Sequence, residues 1–435
     1  MYKKRFVRVE KINNIWWFIL PENKPFISKG VTTVRFAQDT IQNTDFSPYA
    51  ENNLKKYGSK EKWAKNALKR LFNWNFNTLA AWSEKEFSDI EVDGKKMFYT
   101  PILNIGAAFV EIKQKDEDAW LHGIFPDVFD KDFEEISYEI AKKECSPLKD
   151  DERILGYFID NELKFGPDWR GSDELLTMFL NLPPGSAGKI YAVNFLKKRY
   201  SSIDMFNEVW NSSFSSFDEL FSASDIKPPF VFPALYEQNQ GVERYKNETD
   251  KKRSLFISDC DTFAGIIAER YFSVTDRAIK NYDSNHLNLG CRFAYVPQVQ
   301  VRQNAGKYLD VISFNCYTFD PSDAIDSYSV YDKPCLIGEF SFRGDDSGLP
   351  NTRGAGPRVP SQKDRADSFE NYVTKALKKP ALVGYHWFEH ADEPKEGRFD
   401  GENSNYGLVN IEDVVYEELT QRMTQINLKA EELHT

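Results

Sequence analysis

The chain has 435 residues, of which 67 are acidic and 56 are basic, so its formal net charge is −11. An acidic chain is poorly suited to binding nucleic acid, because that affinity comes mainly from the neutralisation of phosphates. Hydrophobic residues make up 41% and charged residues 28% of the chain, which is the composition of an ordinary folded protein and excludes a disordered one.

Short apolar runs alternate with amphipathic segments along the chain, which is typical of β-strand and α-helix units around a parallel sheet. Eight runs have the nearly continuous apolar character of buried parallel strands. They are 26–31, 76–82, 98–105, 154–159, 287–293, 311–317, 335–340 and 382–388. Apolar residues at helical spacing predict helices within 63–72, 133–140 and 369–377, and a closing helix at about 416–433. We therefore predict an α/β fold, a (β/α)8 TIM barrel in a single domain over 1–435, with a doubly wound open sheet as the alternative.

Two segments exceed the usual length of a loop. Residues 164–252, after the fourth strand, are predicted to form an inserted helical and loop region, and residues 341–366 follow the seventh strand. Loops that follow the strands of such a barrel lie on its catalytic face. The extra length of the chain is therefore expected on one face.

The sequence also argues against membrane insertion and against several kinds of catalytic chemistry. No apolar run approaches the 18–20 residues of a membrane span, and the early run 15–20 is too short for a signal peptide. The predicted location is the cytoplasm, or the periplasm or exterior if a signal peptide has been removed. Nucleotide-binding glycine motifs, a G-x-S-x-G nucleophile motif and paired metal-binding histidines are all missing, so we expect no cofactor and no metal.

Two glutamates end predicted strands. Glu162 closes the fourth strand and Glu339 lies near the end of the seventh. A carboxyl group at the mouth of a barrel is partly desolvated, which raises its pKa as a general acid requires. A facing pair of carboxyl groups is the machinery of glycoside hydrolysis, retaining at about 5–5.5 Å and inverting at about 6.5–9.5 Å.

A family resemblance follows from several motifs in a fixed order. They are Leu71-Phe-Asn-Trp-Asn-Phe, Gly156-Tyr-Phe-Ile-Asp-Asn-Glu-Leu, Leu289-Gly-Cys-Arg-Phe-Ala, Ser313-Phe-Asn-Cys-Tyr, Ile337-Gly-Glu-Phe, Gly384-Tyr-His-Trp-Phe and Gly397-Arg-Phe-Asp-Gly-Glu-Asn. Glutamates after strands four and seven resemble the arrangement of the clan A glycoside hydrolases. The whole set resembles the catalytic barrel of glycoside hydrolase family 50, the β-agarases, over roughly 60–415.

This resemblance implies a retaining β-glycosidase that acts on β-linked galactose-containing oligo- or polysaccharides of the agarose type. Glu162 is then the acid/base, and Glu339 is the nucleophile. Asn161 is expected to bond the sugar 2-hydroxyl, and Tyr317 and Arg292 to keep Glu339 ionised. The resemblance also implies sugar contacts for the remaining motif residues, His386, Trp387, Asp400, Glu402 and Asn403.

Several of these residues also have a purely structural interpretation. Tyr317 is otherwise a core ring, Arg292 a structural ion-pair partner and His386 a satisfied barrel histidine, and Asp400-Gly-Glu-Asn also has the composition of a turn. The 34 Phe, 21 Tyr and 9 Trp are expected mainly in the core, although Trp82, Trp120 and Trp169 are candidate sugar platforms. Alternative functions are another clan A activity, a β-galactosidase or an endo-β-glucanase, and a noncatalytic carbohydrate-binding barrel.

Overall fold

The computed structural model describes residues 5–116, 118–231 and 249–434. Part of the predicted insertion, residues 232–248, lies outside the described residues. Eight short parallel strands follow the amino-terminal hairpin. They are β4 (Ser28–Val31), β5 (Thr78–Leu79), β6 (Phe98–Tyr99), β7 (Gly156–Phe158), β8 (Leu287–Gly290), β9 (Ile312–Asn315), β10 (Cys335–Phe340) and β13 (Leu382–Trp387). Each of the eight predicted strands contains one of them.

These eight strands form two sheets. Six of them pair in the order β6-β5-β4-β13-β10-β9, and β7 pairs with β8. Isolated parallel bridges join the edges of the two sheets, Tyr99 with Ile154 and Ile102 with Phe158 on one side, and Phe293 with Phe314 on the other. The fold is therefore mixed α/β with parallel strands, as the alternation of apolar runs predicted.

An amino-terminal hairpin precedes the parallel strands, and the sequence analysis did not predict it. It consists of β1 (Arg8–Ile12) and β2 (Ile15–Ile19), and β3 (Pro25–Phe26) pairs with β2. Asn13 and Asn14 connect β1 to β2 with φ of 53° and 66°, the left-handed conformation that a two-residue hairpin turn requires. Hairpin residues share a hydrophobic cluster with residues near the amino ends of β8, β10 and β13; its members include Phe18, Leu20, Phe26, Leu287, Leu336 and Val383.

Helices lie between the strands and cover the sheets. They are α1 (Pro48–Tyr57), α2 (Lys60–Asn73), α3 (Ile105–Gln114), α4 (Lys131–Cys145), α5 (Leu175–Leu180), α6 (Ala187–Arg199), α7 (Ile203–Trp210), α8 (Phe217–Ser222), α9 (Lys251–Tyr282), α10 (Val299–Tyr308), α11 (Ser322–Ser329), α12 (Gln362–Leu377), α13 (Glu417–Leu428) and α14 (Ala430–Leu433). The predicted helical faces fall in α2, α4 and α12. The predicted closing helix is two helices, with Lys429 between them. Among the described residues, no helix is long and apolar enough to cross a bilayer.

The two long segments differ in structure. The first contains the helices α5 to α8, and the long helix α9 follows it. The second contains two short strands, β11 (Arg343–Gly344) and β12 (Arg358–Val359), which pair with each other in parallel. Its loop is held against the loop after β13, because Asn351 Oδ1 accepts from the Asn405 backbone N–H at 2.8 Å. The loops after β10 and β13 therefore form one packed surface.

Candidate active site

Glu162 follows β7 and has the left-handed φ of 52°. Its backbone N–H donates to the Cys291 carbonyl at 3.1 Å, which holds this strained residue against the neighbouring strand. Asn315 Nδ2 donates to Glu162 Oε1 at 2.7 Å. Burial, and secondarily the nearby charge of Glu339, raise the pKa of Glu162 to about 8, so this carboxyl group holds its proton at neutral pH.

Glu339 lies within β10 and only 4% of it is exposed. Two donors hold its carboxylate. Arg292 pairs with Oε1, and the Tyr317 hydroxyl donates to Oε2 at 2.6 Å. Each carboxylate oxygen of Glu339 therefore has a donor of its own.

Arg292 connects the two glutamates. It follows β8, is fully buried and has a φ of 51°. Besides Glu339 it donates from Nε to Asn161 Oδ1 at 2.9 Å, and Asn161 is the residue before Glu162. Its guanidinium carbon lies 4.6 Å from the Trp82 ring centroid and 4.8 Å from that of Phe158. The position of this buried charge is thus fixed by aromatic faces and by the site itself.

These residues lie together in the structure. The carboxyl ends of β7, β8, β9 and β10 supply Glu162, Arg292, Tyr317 and Glu339, and Asn161 joins them. One carboxyl group retains its proton while the other is held by two donors. Such a pair can donate a proton and attack an electrophilic carbon within one site.

His386 and Trp387 occupy opposite faces of β13, because successive side chains of a strand alternate. His386 points inward, where its Nε2 lies 2.9 Å from Ser28 Oγ, and burial lowers its pKa to about 3. Trp387 is fully buried, donates from Nε1 to the Tyr406 carbonyl at 2.9 Å and packs 6.0 Å from the Phe369 ring of α12. The predicted sugar floor therefore has no exposed face at Trp387 in this structure.

Phe388 is the ring that faces the site instead, and the sequence analysis did not identify it. It lies 6.2 Å from the Tyr317 ring and 5.1 Å from the Tyr406 ring, between centroids. It is 5% exposed. The alternation of side chains from His386 onward is the signal that would have pointed to Phe388 rather than Trp387.

Asn315 and Arg170 are two further residues that the sequence analysis missed. Asn315 is the last residue of β9 and lies two positions before Tyr317, so the period of an extended segment would have indicated that the two side chains point the same way. Arg170 donates from Nη2 to the Glu162 carbonyl at 2.7 Å. No pattern in the sequence marks Arg170, because the contact depends on how the loop after β7 folds back.

Asp400, Glu402 and Asn403 are engaged with other protein groups. Arg398 donates from Nη2 to both Asp400 and Glu402, at 2.9 and 2.8 Å. Gly401 has a φ of 84°, and the Glu402 N–H donates to Asp400 Oδ1 at 3.0 Å, so this segment is a turn. Asn403 Oδ1 accepts from the backbone N–H groups of residues 352 and 353. The composition of the segment had already allowed this turn.

Three more carboxylates lie close to Arg398. Asp39, Glu389 and Glu393 each offer an oxygen within 4.8 Å of the others, and Glu393 lies 3.1 Å from Arg398 Nε. Burial raises the pKa of each. Three carboxylates this close together could hold a metal ion, but Arg398 already supplies a positive charge beside them.

The fold resembles that of solved structures described as agarases. A structure described as an exo-β-agarase superposes on the chain with a TM-score of 0.79 and 24% identity, covering 100% of this chain and 66% of that one. At this level of identity the likeness shows a shared fold. No family model matches the chain.

Sequence similarity leads to two particular relatives, both from Vibrio sp. (strain JT0107). β-Agarase B is 29% identical over 395 residues, which cover 88% of this chain and 38% of the relative. β-Agarase A is 28% identical over 405 residues, which cover 89% of this chain and 38% of the relative. The chain is therefore similar to β-agarases along most of its own length, and it spans well under half the length of these curated relatives.

Proposed function

We propose that this protein is a retaining β-glycosidase that hydrolyses β-linked galactose-containing oligo- or polysaccharides of the agarose type. The observation that carries the proposal is the pairing around Arg292. This buried guanidinium bonds both Asn161 and Glu339, while Tyr317 bonds the second oxygen of Glu339. The raised pKa of Glu162 supplies the matching acid.

The fold supports the same proposal. The sheet edges are joined by parallel bridges on both sides, and we infer that the eight strands close into a single-domain (β/α)8 barrel of the clan A type. The proposed site then lies at the carboxyl ends of β7 to β10, where barrel enzymes carry their catalytic groups. The similarity to β-agarases A and B supports the agarose-type substrate.

The reaction proceeds in two displacements at one anomeric carbon. In the first, the Glu339 carboxylate attacks that carbon, the glycosidic C–O bond breaks, and the Glu162 proton moves to the departing oxygen. In the second, Glu162 takes a proton from water, the water oxygen attacks the same carbon, and the bond to Glu339 breaks. Neither displacement calls on a cofactor, since the two carboxyl groups supply both the nucleophile and the proton.

Three residues tune this cycle. Tyr317 and Arg292 keep Glu339 charged for attack. Asn161 Oδ1 accepts from Arg292, which leaves its amide Nδ2 as the group that would donate to the sugar 2-hydroxyl. Arg292 therefore orients Asn161 while it holds the nucleophile.

The proposal is tested by hydrolysis of a panel of agaro-, porphyran-, galacto- and gluco-oligosaccharides, with proton NMR of the first sugar anomer released. We expect cleavage of the agarose-type substrates and release of the β-anomer. Glu339→Gln should abolish cleavage, whereas the matched Glu135→Gln on the exposed side of α4 should not. Release of the α-anomer would contradict retention, and preference for gluco-oligosaccharides would move the substrate to the β-glucans.

A further inference from the structure

Three aromatic rings from three separate loops meet beside the proposed site. Trp120 precedes α4, Trp169 follows β7 and Phe399 follows β13. The Trp120 ring lies 5.4 Å from that of Trp169 and 6.5 Å from that of Phe399, between centroids. Trp169 is 41% exposed and Phe399 57%. Trp120 is half-buried beside these two exposed rings. Apolar rings that come together on the surface from distant parts of a chain are typical of a binding surface.

Arg170 ties this aromatic surface to Glu162. Its guanidinium carbon lies 5.5 Å from the Trp120 centroid and 5.2 Å from that of Trp169. It also donates to the carbonyl groups of Trp120 and Glu162, at 2.9 and 2.7 Å. The buried ion pair between Arg170 and Asp168 fixes the guanidinium in turn. The two tryptophans and the backbone of Glu162 are therefore held by one side chain.

The loops that carry the tryptophans are packed closely. Gly123 has a φ of 65°, and a Cβ built there would lie 3.2 Å from Arg170 Cβ and 2.9 Å from Lys164 Cδ. Glycine thus allows the loop after Trp120 to lie directly on the loop after Glu162. The aromatic surface is formed before any ligand arrives, so little ordering of these loops opposes binding.

We propose that Trp120, Trp169 and Phe399 bind the sugar units on the leaving-group side of the bond that is cleaved. This inference rests on the proposed function. The acid/base of a retaining glycosidase stands beside the leaving group, and it is Glu162, not Glu339, to which Arg170 connects the rings. The apolar C–H face of a pyranose packs on an aromatic ring without losing hydrogen bonds of its hydroxyl groups to water.

The planes of these rings also bear on the kind of chain that is bound. Trp120 is tilted by 59° to Trp169 and by 55° to Phe399. Successive sugars that contact all three rings must therefore turn relative to one another.

Binding is measured by calorimetry in a Glu339→Gln background, with agarose-type oligosaccharides of increasing length. We expect Trp169→Ala to weaken binding of the longest oligosaccharides by about fivefold to tenfold and to flatten the gain in affinity with length. Trp169→Phe, which keeps a ring, should restore most of that gain. Tyr191→Ala is the matched control, because Tyr191 on α6 is also 41% exposed and lies outside this surface.

The outcomes separate this inference from the proposed function. If the unsubstituted protein cleaves the panel but Trp169→Ala leaves the length dependence unchanged, the aromatic surface is refuted and the function stands. If the protein cleaves nothing but Trp169→Ala still weakens binding, the rings bind sugar, and the proposed function and the assignment to the leaving-group side are both refuted. Failure of every oligosaccharide to bind overturns both.

The side of the bond is tested by kinetics of Trp169→Ala in the otherwise unsubstituted protein, with oligosaccharides labelled at the reducing end. The loss in kcat/KM should grow with the number of sugar units in the leaving group. Growth with the number of units on the opposite side would overturn the assignment to the leaving-group side.

Discussion

Two groups of buried carboxylates follow the carboxyl ends of the parallel strands, and each surrounds one arginine. The first, here called the Arg292 group, contains Glu162 and Glu339. The second, the Arg398 group, contains Asp39, Glu389, Glu393, Asp400 and Glu402; Arg398 ion-pairs directly with Glu393, Asp400 and Glu402. Both groups hold carboxyl groups away from water, and only in the first does one carboxyl group accept from a guanidinium and a phenol while the other accepts from an amide.

The two carboxyl groups of the Arg292 group have different hydrogen-bond partners, and this difference allows one to act as an acid and the other as a nucleophile. Glu339 receives both a guanidinium and a phenol, whereas Glu162 receives one amide and the repulsion of its neighbour. In the Arg398 group, burial raises the pKa of Glu389 and Glu393 alike, and both side chains are fully buried. A closed group of similar carboxylates can stabilise a loop, but it has no separate acid and nucleophile.

The largest expected difference is in activity. Glu162→Gln should lower kcat by about 100-fold to 10,000-fold, because it removes the proton donor. Glu393→Gln should retain activity per folded molecule and should lower stability at pH 8 by less than Arg398→Met does, since Arg398 keeps Asp400 and Glu402 as ion-pair partners. Initial rates and urea unfolding of the two variants measure this. A comparable loss of kcat in Glu393→Gln would make the Arg398 group part of the site.

Substitution of the two arginines should affect the two groups differently. The loss of stability in Arg398→Met should depend on pH, whereas Arg292→Met should also lose activity at every pH. Arg398→Met should lower the free energy of unfolding by about 3–5 kcal/mol at pH 8, because buried carboxylates lose their partner. Carboxyl groups with a raised folded-state pKa hold more protons in the folded state, so stability falls as pH rises above their ordinary range near 4.5. The loss in Arg398→Met should therefore shrink at pH 5.

Arg292→Met is the counterpart. It should also destabilise the protein, by about 3–5 kcal/mol, and in addition abolish hydrolysis at every pH. Urea unfolding at pH 5 and pH 8 gives the comparison. An Arg398→Met variant that is equally destabilised at both pH values would show that its carboxyl groups do not take up protons on folding.

The pH dependence of hydrolysis reports the Arg292 group directly. Glu162 acts as an acid only while protonated, so kcat/KM should fall as pH rises through about 8. The hydrogen bond from Asn315 favours the charged form of Glu162, so Asn315→Ala should raise this pKa and move the alkaline limb to higher pH. A limb that moves to lower pH, or that stays in place, would contradict the role given to Asn315.

The elements that sequence reasoning predicted well are those with a strong period or an uninterrupted apolar run. All eight predicted parallel strands occur, because a strand buried on both faces has an apolar run as its signature. The hairpin of β1 and β2 was missed, since its Asn-Asn turn and partly exposed strands lack that signature. In the site, Glu162, Glu339 and Arg292 were reached through motifs, whereas Arg170 depends on a fold-back that no local pattern encodes.

Trp387 shows a second limit of predicting site residues from a sequence motif. The motif made the tryptophan a natural sugar floor, yet the inward position of His386 assigns the next residue to the outside of the sheet. The geometry of one strand therefore decides between two neighbouring aromatic residues, Trp387 and Phe388. At residues 400–403, likewise, the motif implies sugar contacts, whereas the local geometry is that of a turn.

Asp400→Asn has the smallest expected effect and tests that choice. Arg398 donates to both carboxylate oxygens of Asp400, at 3.0 Å to Oδ1 and 2.9 Å to Oδ2. The amide of the variant can still accept from the Glu402 N–H, and Arg398 keeps its other carboxylates. We therefore expect a loss of about 0.5–1 kcal/mol in unfolding free energy and an unchanged KM. A rise in KM for oligosaccharides without a loss of stability would instead support the sugar contact that the motif implies, because only a ligand would then feel the missing charge.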